Sequence, residues 1–367
     1  MVMRRAEIGY HDRMSMVDIP GPVWVMGAGS VGCYLGGCLA ASGVDVSFIG
    51  RPRVLNPLRE HGLTVSDFKH PKQQISAAAL KLYEALPQLN PTTDGVSQPA
   101  PALVLLTVKG SGTVEAAQQL TAAGLPAGTL VVSFQNGVGN AELAQAQAPA
   151  LRVMAGMVPY NLADLGQGVF HRGTSGALMV QDHPQFAPWQ AVFDRAQLSL
   201  KRVPDLKPFQ WGKLLINLNN PVNALSGLTL LEEFSNWHLR RCLAALMEEA
   251  IQVLQQAQVP YAQVLALPPE KFIRVLRLPN FIFKRVAKKM LQIDPLARSS
   301  MADDFALGRP TEIDSLCGEV VRLAQQQGHP APRNAAMVRL VKDHTRQGAG
   351  PGQWPAKALL KALLQAT

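Results

Sequence analysis

Long hydrophobic runs are missing from this chain: no apolar stretch in its 367 residues approaches the roughly 20 needed to span a bilayer. A helical membrane span is therefore excluded. Residues 1–19 lack the apolar h-region of a signal peptide and read as a flexible N-terminal extension, with Met16 an alternative start. A cytoplasmic protein is expected. Cysteine is scarce, with only Cys33, Cys38, Cys242 and Cys317, no CxxC and no histidine pair at ligand spacing. That argues against a metal site and for reduced, structural thiols. Acidic residues are also few, 26 against 35 lysines and arginines, which gives a formal net charge of +9. The basic residues are scattered apart from Arg240-Arg241 and the Lys284–Lys289 segment, so nucleic acid is not an expected partner. A basic field suits an anionic cofactor and an anionic substrate.

What is present begins with an apolar strand, Pro22–Met26, that runs into Gly27-Ala28-Gly29-Ser30-Val31-Gly32. This GxGxxG has the context it needs, strand before and helix after. Gly27 serves the tight turn, Gly29 the approach of a pyrophosphate, and Gly32 close helix–strand packing; Ser30 and Val31 open a helix whose N–H groups face the anion. Ala28 lies within the same turn. A second strand, Val44–Ile49, ends at Arg51 and Arg53, where an acidic residue would grip the ribose hydroxyl of NAD. A guanidinium at Arg51 matches a 2′-phosphate instead, so NADPH is the expected cofactor. The competing reading is a surface arginine that follows a strand.

From Gly21 to Pro204, short apolar runs alternate with helical stretches, as in a doubly wound parallel sheet. Ala102–Val108 ends at Lys109 and Leu130–Phe134 ends at Asn136, and both runs read as buried parallel strands whose C-terminal ends face a cofactor crevice. Ser175–Val180 and Leu198–Val203 are candidate later strands, and 85–101 a loop. Beyond Asp205 helical periodicity takes over at 211–225, 236–258, 282–293, 313–327 and 335–345. The expected organisation is thus an extension (1–19), an α/β Rossmann-type doubly wound NADP-binding domain (20–204), an all-α substrate domain (205–347) and a C-terminal tail helix (348–367).

Two helical segments are chemically dense. In Trp211–Pro221, Lys213, Asn217 and Asn220 fall on one helix face amid leucines and isoleucine, so a polar stripe in a crevice is expected rather than a solvated face. In Ser299–Asp314, Thr311 is a candidate cap for a helix starting near Glu312, with Asp314 in its first turn. The acids there are also explicable as helix-start electrostatics.

With GxGxxG, Val-Lys109, Gln-Asn136-Gly, Trp-x-Lys213-Leu-x-x-Asn217, Ser-Ser300-Met and Gly-Arg-x-Thr-Glu312-Ile-Asp all in order, the chain resembles the ketopantoate reductase family over about Gly21–His344. The resemblance implies an NADPH-dependent reduction of 2-dehydropantoate to (R)-pantoate, on the route to pantothenate and coenzyme A. It implies Lys213 as catalytic proton donor, Asn136, Asn217, Asn220 and Ser300 as substrate contacts, and Lys109, Asn136, Glu312 and Arg51 as cofactor contacts. The implied partner is a small 2-keto acid, with a homodimer left open. The chain departs from the family pattern where a second amide often stands eight residues after the lysine: that position is Pro221. It also has no counterpart to a downstream asparagine among Leu228–Leu231, and its 260–295 stretch is longer. A paralogous reductase of another keto acid or ketone, and a non-catalytic NADPH-binding sensor, are the two alternatives.

Overall fold

The computed structural model describes residues 18–87, 89, 99–288, 296–348 and 350–366. The expected extension (up to residue 17), most of the 85–101 loop and residues 289–293 of one expected helix lie outside these. The N-terminal half carries, in chain order, β1 (Val23–Met26), α1 (Ser30–Ala41), β2 (Val46–Ile49), α2 (Pro52–His61), β3 (Leu63–Asp67), β4 (Gln73–Ile75) and β5 (Lys81–Tyr83). It continues through β6 (Leu103–Leu106), α3 (Thr113–Ala122), β7 (Leu130–Ser133), α4 (Asn140–Gln147) and β8 (Arg152–Met157). It closes with β9 (Leu162–Asp164), β10 (Val169–Arg172), β11 (Leu178–Gln181), α5 (Trp189–Arg195) and β12 (Leu200–Val203).

The main sheet has eight strands in the order β12-β11-β8-β7-β6-β1-β2-β5. From β5 to β8 every pairing is parallel; β11 runs antiparallel to β8, and β12 parallel to β11. Strands β1, β2, β6 and β7 are buried at every position, because helices cover both faces. Strand order reverses at β1, so a crevice opens beyond the C-terminal ends of β1 and β6. A second sheet, β4-β3-β10-β9, was not legible in the sequence, since its strands are short and partly exposed. β8 was missed as well: its Gly156 interrupts the apolar run, although a Cβ there would meet Phe134 at 2.7 Å.

The C-terminal half is helical: α6 (Lys207–Asn217), α7 (Asn219–Ser226), α8 (Leu230–Ser235), α9 (Trp237–Gln256), α10 (Pro269–Leu276), α11 (Asn280–Val286), α12 (Ser300–Ala306), α13 (Cys317–Gln326), α14 (Pro332–Gln347) and α15 (Ala356–Leu364). Two expectations are corrected. The helix expected over 211–225 is two helices that meet at Leu218, because Pro221 has no N–H for the Asn217 carbonyl and its ring crowds that oxygen. The helix expected from Glu312 starts only at Cys317, after a 3₁₀ turn at Ile313–Ser315 and a non-helical Leu316 (φ −111°, ψ −95°), so Thr311 does not cap it. Asn236 does cap α9, accepting from His238 N.

Arg240, which the sequence places in a basic pair, is buried. Its guanidinium donates to the carbonyls of Phe234, Leu276 and Leu278 and lies over the Phe283 ring. All four cysteines are free and buried. Among the described residues no helix is long and apolar enough to cross a membrane.

The C-terminal tail packs into the helical layer. Leu359, Leu360 and Leu363 of α15 enter the same core as α7, α9 and α14, and Trp354 N donates to Leu225 O. Replacing Leu359, 0% exposed, by alanine is expected to cost about 2–5 kcal/mol of unfolding free energy in a denaturant titration. A loss below about 0.5 kcal/mol, typical of surface positions, would refute that packing.

Candidate active site

The glycine turn is set by close contacts at its two ends. Gly27 has φ +111°, and its N–H and that of Ala28 both donate to Ile49 O of β2. A Cβ on Gly32 would stand 2.3 Å from Gly27 O and 2.6 Å from Thr107 Oγ1, so only glycine lets α1 approach the strand ends. By contrast, a Cβ on Gly29 would meet nothing within 4 Å. The backbone there faces open space, and no side chain caps α1 at Gly29, whose helix opens with Ser30 and Val31. Open backbone at a helix N-terminus fits a pyrophosphate.

Arg51 stands at the end of β2 as the exposed N-cap of α2, with Arg53 exposed two residues on. Arg309, from the loop after α12, is an electrostatic neighbour of Arg53 from the helical half. Burial first, then the charges of Arg309 and Arg51, lower the pKa of Arg53. Arg53 thus feels two further guanidinium charges, surroundings that suit an anionic phosphate.

The next two strand ends carry Lys109 and Asn136, and their loops are tied by a buried amide network. Gln135 Nε2 donates to Val108 O and to Thr113 Oγ1, and Asn140 Nδ2 donates to Asn136 O. Lys109 Nζ reaches across to the helical half, 2.6 Å from Asp304 Oδ2 and 2.7 Å from Pro310 O. Asp304 is buried, and that burial raises its pKa while Lys109 opposes the shift.

Lys213, on α6, completes the arrangement. Its Nζ donates to Asn136 Oδ1 at 2.8 Å and to Val158 O, while Asn136 Nδ2 donates to Glu312 Oε2 at 3.2 Å. One amide therefore spans a lysine and a carboxylate. Burial lowers the lysine to about 8, with Glu312 pulling the other way. The structure thus brings Lys213, Asn136 and Glu312 together and sets Lys109 against Asp304.

Asn217 ends α6 one turn beyond the lysine on the same face, and Asn220 is partly buried on α7. Ser300 is the exposed first residue of α12; the buried serine is Ser299, which caps that helix by accepting from Ala302 N. Among the described residues none of these three side chains hydrogen-bonds the lysine group. Asp304, Asn223 and the Val158 carbonyl were missed in the sequence. Only Asp304 carried a signal, standing four residues after Ser300 in a segment already noted as acidic.

The sequence profile of Ketopantoate reductase PanE/ApbA matches residues 23–185, and that of Ketopantoate reductase PanE/ApbA C terminal matches 205–345. The chain belongs to the ketopantoate reductase family. It is 28% identical over 329 residues to a 2-dehydropantoate 2-reductase of Archaeoglobus fulgidus, covering 87% of this chain and 96% of that one. The crystal structure of a PanE/ApbA family ketopantoate reductase from Ralstonia eutropha superposes with a TM-score of 0.72 at 27% identity, covering 89% of this chain and 99% of that one. The fold is also that of D-mandelate dehydrogenase in its ternary structure with NADH and anilino(oxo)acetate, with a TM-score of 0.69 at 18% identity and coverage of 89% and 99%.

With a pKa of about 8, Lys213 is mostly cationic at neutral pH and mostly neutral above pH 9. Carbon-13 NMR after reductive methylation of the lysines is expected to show one resonance that titrates well below the rest and disappears in Lys213→Met. A full set of lysines titrating at about 10.4, the ordinary value, would contradict the burial.

Proposed function

We propose that this protein is an NADPH-dependent reductase of a 2-keto acid, with 2-dehydropantoate its first-ranked substrate and (R)-pantoate, a precursor of pantothenate and coenzyme A, the product. The observation that carries the reading is the acidified lysine beside the strand ends, held by Asn136 and opposed by Glu312. The residues of the turn fit a dinucleotide: Gly29 leaves room for the pyrophosphate, and Arg51 and Arg53 lie where its adenosine end would fall. When bound, the reduced nicotinamide supplies the hydride.

The chain's own residues do the rest. As hydride reaches the keto carbon, negative charge grows on the carbonyl oxygen. Lys213 meets that charge and transfers a proton from Nζ, which leaves a neutral amine and a hydroxy acid. The depressed pKa makes the ammonium a better acid than an exposed lysine, while Glu312 keeps it charged at neutral pH. Asn136 fixes the direction of the amino group, and Asn217, Asn220 and Ser300 are the candidates for the substrate's carboxylate and hydroxyl.

A second reading has a specific observation behind it. Pro221 occupies the position of the family's second amide and breaks the helix at Leu218, so the amides past the break present a different spacing to the substrate. A paralogous reductase of a different keto acid follows if 2-dehydropantoate is a poor substrate. The fold is shared with a dehydrogenase solved with NADH, so the choice of NADPH rests on the arginines.

Oxidation of NADPH with 2-dehydropantoate, beside a panel of 2-keto acids and repeated with NADH, tests all of this. Lys213→Ala is expected to lower kcat by about 10²–10⁴-fold with NADPH still bound. Undiminished turnover in that variant would remove the lysine from the mechanism, and a wild type inert toward every keto acid would favour an NADPH-binding sensor. Arg51→Ala is expected to erode the preference for NADPH over NADH by about 10–100-fold, the scale of a charged hydrogen bond. Comparable wild-type rates with both cofactors would defeat that argument. Because Lys213 donates its proton, the rate of reduction is expected to fall as pH rises through about 8. A rate flat to pH 10 would name another donor.

A further inference from the structure

Behind the substrate amides lies a carboxyl group that the proposed chemistry does not use. The capping box at Thr229 sends the adjacent acids of α8 in opposite directions. Glu232 caps the helix at the surface, while Glu233 turns inward and is 0% exposed. Its Oε2 accepts from Asn223 Nδ2 at 2.8 Å and from Asn219 Nδ2 at 3.3 Å, both on α7. Asn223, also 0% exposed, uses its other end to accept from Ser299 N at 2.8 Å. Ser299 Oγ in turn donates to Asn220 O at 3.1 Å and caps α12. A chain of side-chain hydrogen bonds therefore runs from α8 through α7 to the residue before Ser300.

We propose that Glu233 is a positioning residue for the keto-acid site: acting as a neutral hydrogen-bonding group, it fixes Asn223, which fixes Ser299, and so sets Asn220 and Ser300 in register. The proposal rests on the functional reading above, because it assigns the substrate's carboxylate to Asn220 and Ser300. Three facts favour the neutral form. Among the described residues Glu233 has no ion-pair partner, and its hydrogen bonds come from two amides. Its Oε1 and Asn219 Oδ1 are buried with no partner among the described residues. Burial pushes its pKa up to about 8, against the two amides that lower it. A purely apolar residue would bury more cheaply here, but it would leave the Asn219 amide without its acceptor and the Asn223 amide with the Leu228 carbonyl alone, at 3.0 Å. Asn223 would then keep only one of the two anchors that hold its other end toward Ser299.

The test compares wild type, E233Q and E233L. Glutamine keeps an acceptor for the two amides and replaces the carboxyl O–H with N–H, so E233Q is expected to retain most of the activity. E233L is expected to raise KM for the keto acid about tenfold, the scale of one buried unsatisfied group, while NADPH affinity stays within about twofold. An unchanged KM in folded E233L overturns the proposal. So does an E233Q as damaged as E233L, or an E233L that loses NADPH as readily as keto acid. If E233L does not fold, S299A interrupts the same chain at its far end and is expected to show the same selective rise in KM; an unaltered KM there overturns the proposal too. Hydrogen exchange at the N–H groups of Ser299 and Ala302 separates this idea from the reading it rests on. Faster exchange in E233L and not in E233Q upholds the hydrogen-bond chain even if no keto acid is turned over, and equal exchange in all three overturns it.

Discussion

The constraint on which this site depends is that a lysine withdrawn from water must find its hydrogen-bond partners in the protein. Lys213 finds them in the Asn136 side chain and the Val158 carbonyl, both belonging to the other half of the chain. Asn136 is suited to the task because its amide accepts at one end and donates at the other. It takes a proton contact from the lysine and gives one to Glu312 without itself carrying charge. A carboxylate in its place would form a tight ion pair and raise the lysine's pKa. An apolar residue would leave the lysine with the Val158 carbonyl alone and the carboxylate without its amide donor. The amide keeps the opposing charges close enough to interact and far enough apart for the ammonium to stay acidic.

Everything around this contact serves to hold it. Parallel strands deliver Lys109 and Asn136 to one edge of the sheet, and the Gln135–Thr113–Asn140 network fixes the loops on which they ride. From the other side, the break at Leu218 frees α7 to follow its own axis, and the buried amides of α7 meet α8 and α12. In the proposed reaction the two halves contribute different things: the sheet supplies a shelf for the dinucleotide, and the helices supply the acid and the polar groups aimed at it.

Much of this was legible because it obeys local rules. The glycine turn is readable since each glycine answers a steric demand, as the 2.3 Å approach at Gly32 shows. Lys109 and Asn136 are readable since they follow uninterrupted apolar runs, and such runs mean buried parallel strands. Lys213 stands out as a cation amid leucines. The rest depends on contacts that composition does not announce. Pro221 signals a break, yet helical spacing on both sides of it disguises two helices as one. Glu232 and Glu233 are neighbours of identical type, and only the direction of α8 makes one a surface cap and the other a buried acid. The partnership of Lys109 with Asp304 joins positions 195 residues apart, and no periodicity connects them.

That ion pair has a consequence for how the two halves behave as a machine. Lys109 is committed to a carboxylate and a backbone carbonyl of the helical half. Any anion that recruits this lysine at the sheet edge has to compete with both. Occupancy of the shelf and the seating of α12 against the sheet are then two faces of one equilibrium. If Lys109 serves the proposed dinucleotide, whatever loosens the strap favours that ligand, and the ligand loosens the strap by the same factor. Because Ser299 caps α12 and Ser300 opens it, the same competition would reach the place proposed for the keto acid. Coupling between the two sites would then need no separate regulatory element.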